Sequence, residues 1–196
     1  MKYENFDIYY PAEGIALPWN QWEIVGMAAW LWSRSVLHCS WDLKLFRRDV
    51  LESVELQQFV LMTHNDQPAG YLSWGHLSDE AEIKYIVNPN SLQLDDKRSG
   101  KHLWLLNWVA PFGGTKEFMR VARHSLFHSS VGHMLRIKPG NHDLGRIVSA
   151  RGVCVSRQDY IQEVLRMHGN FEQAQRLRID HAPKAFNSTH CPAELN

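Results

Sequence analysis

Apolar and polar residues alternate along this chain with two periods, and the period changes from segment to segment. Between Gln21 and about Arg34, Trp22, Val25, Ala29 and Trp32 recur at three and four, which predicts an amphipathic helix. Asn20-Gln21-Trp22-Glu23 in front of it has the spacing of a capping box. Gly26 inside the helix costs stability, so a close neighbour is expected to cross there. Leu43-Lys44-Leu45-Phe46 leads into a short helix near residues 49–56. Phe59-Val60-Leu61-Met62 and Ala69-Gly70-Tyr71-Leu72-Ser73-Trp74 read as strands around the turn Asn65-Asp66-Gln67-Pro68. Residues 78–87 form a short acidic helix and 92–100 a polar loop. Trp104-Leu105-Leu106-Asn107-Trp108-Val109 is a strongly apolar strand stopped by Pro111 and Gly113-Gly114. Simple alternation puts Asn107 on the face of Leu105 and Val109, opposite Trp104, Leu106 and Trp108. Residues 115–127 are helical, 134–138 and 146–150 make a closing pair of strands, and Ser156-x-x-Asp159 caps a last helix over 156–168.

The alternation of strands and helices without a repeat or linker predicts one α/β (α+β) domain over 21–169. An irregular leader is expected over 1–20 and a C-terminal extension or tail over 170–196, loose from Pro183 onward. Lys and Arg balance Asp and Glu at 21 each, which argues against a dedicated nucleic-acid binder. The longest apolar cluster, Met27 to Trp32, is too short for a membrane span, and Met1-Lys2-Tyr3-Glu4 carries no signal-peptide core. The expected compartment is the cytoplasm. Cys39, Cys154 and Cys191 are widely spaced with no CxxC pair, so neither a disulfide framework nor a zinc knuckle is favoured. His124, His128 and His133 lack the carboxylate a metal site would want, and no metal is expected.

Charge is uneven within the neutral total. Lys116, Arg120, Arg123, Arg136, Lys138, Arg146, Arg151 and Arg157 face only Glu117 and Asp143, a local balance of +6. A solvated face is the plain reading, and a dock for an anionic partner the sharper one. No RNP-type aromatic motif accompanies the stretch. His38, just past the first helix, can take a proton near neutral pH. Asn107, a polar group in an apolar strand, must be hydrogen-bonded or stand in a cleft.

These residues fall in a recognisable pattern. Gly26-Met-Ala-Ala-Trp30-Leu-Trp32, Ser35-Val-Leu-His38-x-x-Trp41, Pro68-Ala-Gly-Tyr71-Leu-Ser73-Trp74, Glu82-Ile-Lys-Tyr85 and Trp104-x-x-Asn107-Trp108-x-Ala-Pro-Phe-Gly113 stand in one order. Over roughly residues 22–150 they resemble the RTX toxin-activating lysine acyltransferases. The resemblance implies a GNAT-like fold, a bent mixed sheet flanked by helices, in a protein that is often a homodimer. It also implies an enzyme that takes a fatty acyl group from acyl-carrier protein, as a phosphopantetheine thioester, to an internal lysine of an RTX protoxin, with no bound cofactor. The family's catalytic histidine falls on His38 and a motif serine on Ser35. Its catalytic aspartate falls on Asn107, a departure. Acyl-carrier protein is acidic, so the basic stretch becomes its expected dock, with Arg120, Arg123 and Lys138 as candidate contacts.

The chemistry asks for such groups. An attacking lysine, with a pKa near ~10.4, needs desolvation or a base. An Asp partner would orient the His38 ring and stabilise its imidazolium. Asn107 can still accept an N–H and orient the ring, or donate its amide to the thioester oxygen; both roles stay open. The rival functions are a catalytically weak relative that binds protoxin or acyl-carrier protein, and a GNAT-like enzyme using acyl-CoA. Against the second stands the lack of a glycine-rich pyrophosphate loop, Gly113-Gly114-Thr115 being the nearest approach.

Overall fold

The computed structural model describes residues 2, 3, 5–136 and 146–181. Its strands are β1 (Lys2–Tyr3), β2 (Phe6–Tyr9), β3 (Phe59–His64), β4 (Gln67–Leu77), β5 (His102–Val109), β6 (Val131–Arg136) and β7 (Arg146–Arg151). They form a seven-stranded sheet in chain order. Every neighbouring pair is antiparallel except β5 and β6, which run parallel. The helices are α1 (Gln21–Arg34), α2 (Leu43–Phe46), α3 (Glu52–Glu55), α4 (Asp79–Val87), α5 (Thr115–Val121) and α6 (Arg157–His181). A π-helical turn, Arg47–Leu51, joins α2 to α3, and another, Ala122–Leu126, extends α5. This is the expected α+β, GNAT-like arrangement of a mixed sheet flanked by helices.

Residues 59–62 read as an unbroken apolar run because β3 is covered on both faces. Val60 and Met62 pack with Leu72, Leu103, Leu105 and Phe118 of α5, whereas Phe59 and Leu61 pack with Tyr71, Val109 and α1. A third cluster joins Trp104 and Leu77 to α4 and α6. The β3–β4 connection is a two-residue hairpin with Asn65 at φ 49° and Asp66 at φ 60°. Asn and Asp tolerate that left-handed backbone, which fits the strand twist.

The capping box forms as expected: the Asn20 side chain accepts from the Trp22 and Glu23 backbones, and Glu23 accepts from Asn20 N at 2.8 Å. The buried face of α1 differs from the expected stripe. Ile24, Ala28, Leu31 and Trp32 are buried, while Trp22 is 69% exposed. A side chain at Gly26 would meet nothing within 4 Å, so no neighbour crosses there. The leader is not irregular: β2 pairs with β3 through Asp7–Thr63, Ile8–Met62 and Tyr9–Leu61, and Ile8 is buried. The last helix runs on through the expected boundary at 169 to His181, and the loose stretch 183–196 lies outside the described residues.

The pairing of β4 with β5 is interrupted once. Ser73 faces Asn107, but the next residue, Trp74, faces Leu105. Leu106 is the extra residue of a β-bulge, which reverses the alternation beyond it. Leu105 therefore packs in the α5 cluster and Val109 in the α1 cluster, and Asn107 shares a face with Val109 and not with Leu105.

Candidate active site

α1 ends at Ser35, and the chain turns tightly. The His38 and Cys39 N–H groups return to the Ser35 carbonyl at 3.1 and 2.9 Å, and Trp41 N returns to His38 O at 2.9 Å. Asp42 then caps α2 by accepting from Leu45 N. This coil turns the His38 ring inward between Trp32, at 5.0 Å, and Trp41, at 4.6 Å between centroids. His38 is only 4% exposed. Burial lowers its pKa to about 4, because the charged ring is desolvated and no carboxylate compensates. The imidazole is therefore neutral at neutral pH.

Ser35 Oγ lies 2.7 Å from His38 Nδ1. If Nδ1 carries the proton and the hydroxyl accepts it, the lone pair is left on Nε2. Nε2 has no hydrogen-bond partner among the described residues, and His38 lines a cavity of about 410 Å³. The cavity lies where β5 and β6 part company. Their parallel pairing spans Leu103–Gly132, Trp104–His133 and Leu105–Met134. Beyond it Leu106, Trp108, Met119, Met134, Leu135 and Val148 give the cavity an apolar lining.

Asn107 stands in the same cavity and is likewise 4% exposed. Trp32 Nε1 donates to its Oδ1 at 3.3 Å. An indole nitrogen only donates, so this contact fixes the amide's orientation. Nδ2 is left buried without a partner. No hydrogen bond joins Asn107 to His38 among the described residues, so the group that contacts the ring nitrogen is Ser35.

The basic candidates divide. Arg120, on α5, is exposed. Arg123 Nε donates to Arg151 O at 2.8 Å and ties the π-turn to the end of β7. Lys138 lies outside the described residues. Arg136, which its sequence context marks only as one cation of the basic stretch, lines the cavity. Cys39 is exposed, with its thiol toward Val36 O. Among the described residues no cluster of His, Cys, Asp and Glu could hold a metal, and no helix is long and apolar enough to cross a membrane.

The model of the RTX toxin acyltransferase family matches residues 17–151, a span that contains His38, Asn107 and every strand from β3 to β7. The chain belongs to that family. Among members of the RTX toxin acyltransferase family, the RTX-II toxin-activating lysine-acyltransferase of Actinobacillus pleuropneumoniae is 32% identical over 71% of this chain and 86% of its own length. The protein-lysine myristoyltransferase of Kingella kingae is 35% identical, over 72% of this chain and 87% of its own. That of Escherichia coli is 36% identical, over 69% and 79%. These relatives are protein-lysine acyltransferases. Helix α6 lies beyond the part that the RTX toxin acyltransferase family model matches.

Proposed function

We propose that this chain moves a fatty acyl group from the phosphopantetheine thioester of acyl-carrier protein to an internal lysine of an RTX protoxin, in the cytoplasm, with His38 as general base. The observation that carries the reading is the pairing, in one apolar cavity, of an uncharged imidazole with an open Nε2 and an unpartnered amide N–H. The apolar walls suit an acyl chain, and they also favour the neutral, nucleophilic form of an entering lysine. The amine nitrogen attacks the thioester carbon, and its N–H becomes far more acidic as the C–N bond forms. A weak base then suffices: Nε2 takes that proton, the C–S bond breaks, and the proton passes to the departing thiolate. The products are an amide on the lysine and a free carrier thiol.

Ser35 is the positioning residue, its hydroxyl accepting from Nδ1–H in the tautomer that leaves the Nε2 lone pair free. Asn107 braces Trp32 through Oδ1 and so helps to hold the wall against which the His38 ring packs. Arg120 is the exposed part of the carrier dock, while Arg123 serves the fold. The test is purified chain with an RTX protoxin and acyl-carrier protein charged with a fatty acid, followed by mass spectrometry of protoxin lysines. Acylation by the wild type and none by His38→Ala is the expected result. Acylation from acyl-CoA but not from the carrier would overturn the donor, and equal rates for both proteins would overturn the base.

A further inference from the structure

The β6–β7 hairpin presents one continuous stripe to the cavity. Its register sets Met134 opposite Val148 and Arg136 opposite Arg146. Met134, Val148 and Arg136 all line the cavity that holds His38 and Asn107. Residues two apart on a strand share a face, so Arg146 stands on the same side as Val148. The residues between them, Leu135 and Ile147, pack against the α4–α6 cluster, with Leu135 also reaching the cavity wall. The stripe therefore passes from an apolar pair to a cationic pair.

That cationic pair is costly to the free protein. Like charges directly opposite on antiparallel strands repel. Among the described residues neither guanidinium has a carboxylate or a hydrogen-bond acceptor, and both side chains are exposed. The other arginines nearby are committed: Arg48 to Asp49 and the Pro89 carbonyl, Arg123 to the Arg151 carbonyl, and Arg151 to the Val155 carbonyl. Two uncommitted guanidinium forks side by side match the oxygens of a phosphate, which arginine binds bidentately. An apolar cavity with paired cations at its end suits an amphiphile whose acyl chain is followed, along a polar arm, by a phosphate.

We infer that Arg136 and Arg146 bind the phosphate of the phosphopantetheine arm that delivers the acyl group. The inference rests on the proposed thioester donor, and the phosphate could belong to a carrier protein or to free coenzyme A. Calorimetric titration of the intact protein with non-hydrolysable fatty-acyl amide analogues separates the two sources. Three ligands are compared: acyl-pantetheine, acyl-phosphopantetheine and acyl-coenzyme A. The wild type should bind the phosphorylated arm about tenfold or more tighter than the unphosphorylated one. In Arg136→Gln/Arg146→Gln that preference should vanish with acyl-pantetheine affinity unchanged, and the melting temperature should hold or rise as the repulsion is relieved. Equal wild-type affinity for the two arms, or a preference that survives in the variant, overturns the phosphate site alone. Failure of all three to bind overturns the donor reading with it. Coenzyme A binding no tighter than the phosphopantetheine arm supports a carrier as the source, whereas a further tenfold gain assigns the cations to free coenzyme A and overturns the carrier.

Discussion

The indole N–H of Trp32 and the side-chain carbonyl of Asn107 meet at 3.3 Å, and this contact decides which end of the Asn107 amide faces the cavity. A carboxylate at position 107 could accept the same hydrogen bond with one oxygen and turn the other, charged, toward His38. Asn107→Asp is therefore expected to keep or increase turnover. Its negative charge should raise the His38 pKa from about 4 and strengthen the base. A gain of about tenfold needs only ~1.4 kcal/mol of added transition-state stabilisation. The measurement is the acylation rate against pH, with the His38 pKa followed by NMR. A folded but inactive Asp variant would make Nδ2 an indispensable donor to the thioester oxygen.

His38→Ala should lower the acylation rate by about 10²–10⁴-fold, the usual worth of a positioned general base. Circular dichroism should show the fold retained. A wild-type rate in that variant reduces His38 to a packing residue between Trp32 and Trp41.

Ser35→Ala removes the group at 2.7 Å from Nδ1 and frees the ring to adopt the other tautomer. Loss of about 1 kcal/mol of positioning corresponds to a rate some fivefold lower. Ser35→Thr, which keeps the hydroxyl, should restore most of it. An equal loss in both variants would point to the backbone turn and not to the hydroxyl.

Burial of His38 makes stability depend on pH. Its folded pKa, about 4, lies below the ordinary 6.5, so the unfolded chain binds more protons between those values. Stability is therefore fully present above about pH 6.5 and falls as pH drops toward 4, by as much as about 3 kcal/mol from this group. His76, lowered by burial, acts in the same sense, whereas Asp49, raised by burial, acts in the opposite one. The difference between wild type and His38→Gln in urea titrations across this range isolates the His38 contribution. Parallel curves would contradict it.

Arg166 of α6 holds Glu82 at 2.9 Å, Glu163 at 2.7 Å and Asp79 at 2.8 Å. Glu82 is fully buried and, among the described residues, otherwise accepts only from Trp104 Nε1 and the Asn170 amide. Arg166→Ala should cost roughly 3–5 kcal/mol by leaving that carboxylate uncompensated. Adding Glu82→Gln should recover much of the loss in denaturant titrations. A single variant as stable as the wild type would show that α6 is not anchored through Glu82.

What could be read from the sequence is what local chemistry dictates. The capping box needs only Asn20 and Glu23, and the β3–β4 hairpin only the backbone tolerance of Asn65 and Asp66. His38, Ser35 and Asn107 stood out through their motifs, and the structure brings His38 and Asn107 to one cavity and sets Ser35 against the His38 ring. The remainder depends on contacts distant in sequence. The pattern Phe6-Asp7-Ile8-Tyr9 became a strand because Met62 and its neighbours offered an edge. The bulge at Leu106 reversed a face that simple alternation had assigned to Asn107. Arg123 reads as a candidate carrier contact, and nothing in its local sequence shows that the fold sets the Arg151 carbonyl beside it. Met119, Met134 and Val148 carried no signal at all, since their meeting depends on the crossover that makes β6 parallel to β5.

The attachment of β2 along β3 bears on how this protein can be handled at the bench. Trimming through Tyr10, or a bulky fusion that displaces Phe6–Tyr9, would uncover the outer hydrogen-bonding groups of β3 around Leu61, Met62 and Thr63. That strand is short, apolar on both faces and uncharged from Phe59 to Thr63, the features that let an open sheet edge pair with another molecule. Such a preparation would lose material to concentration-dependent self-association even with the cavity around His38 and Asn107 intact, so a tag is better carried at the opposite terminus.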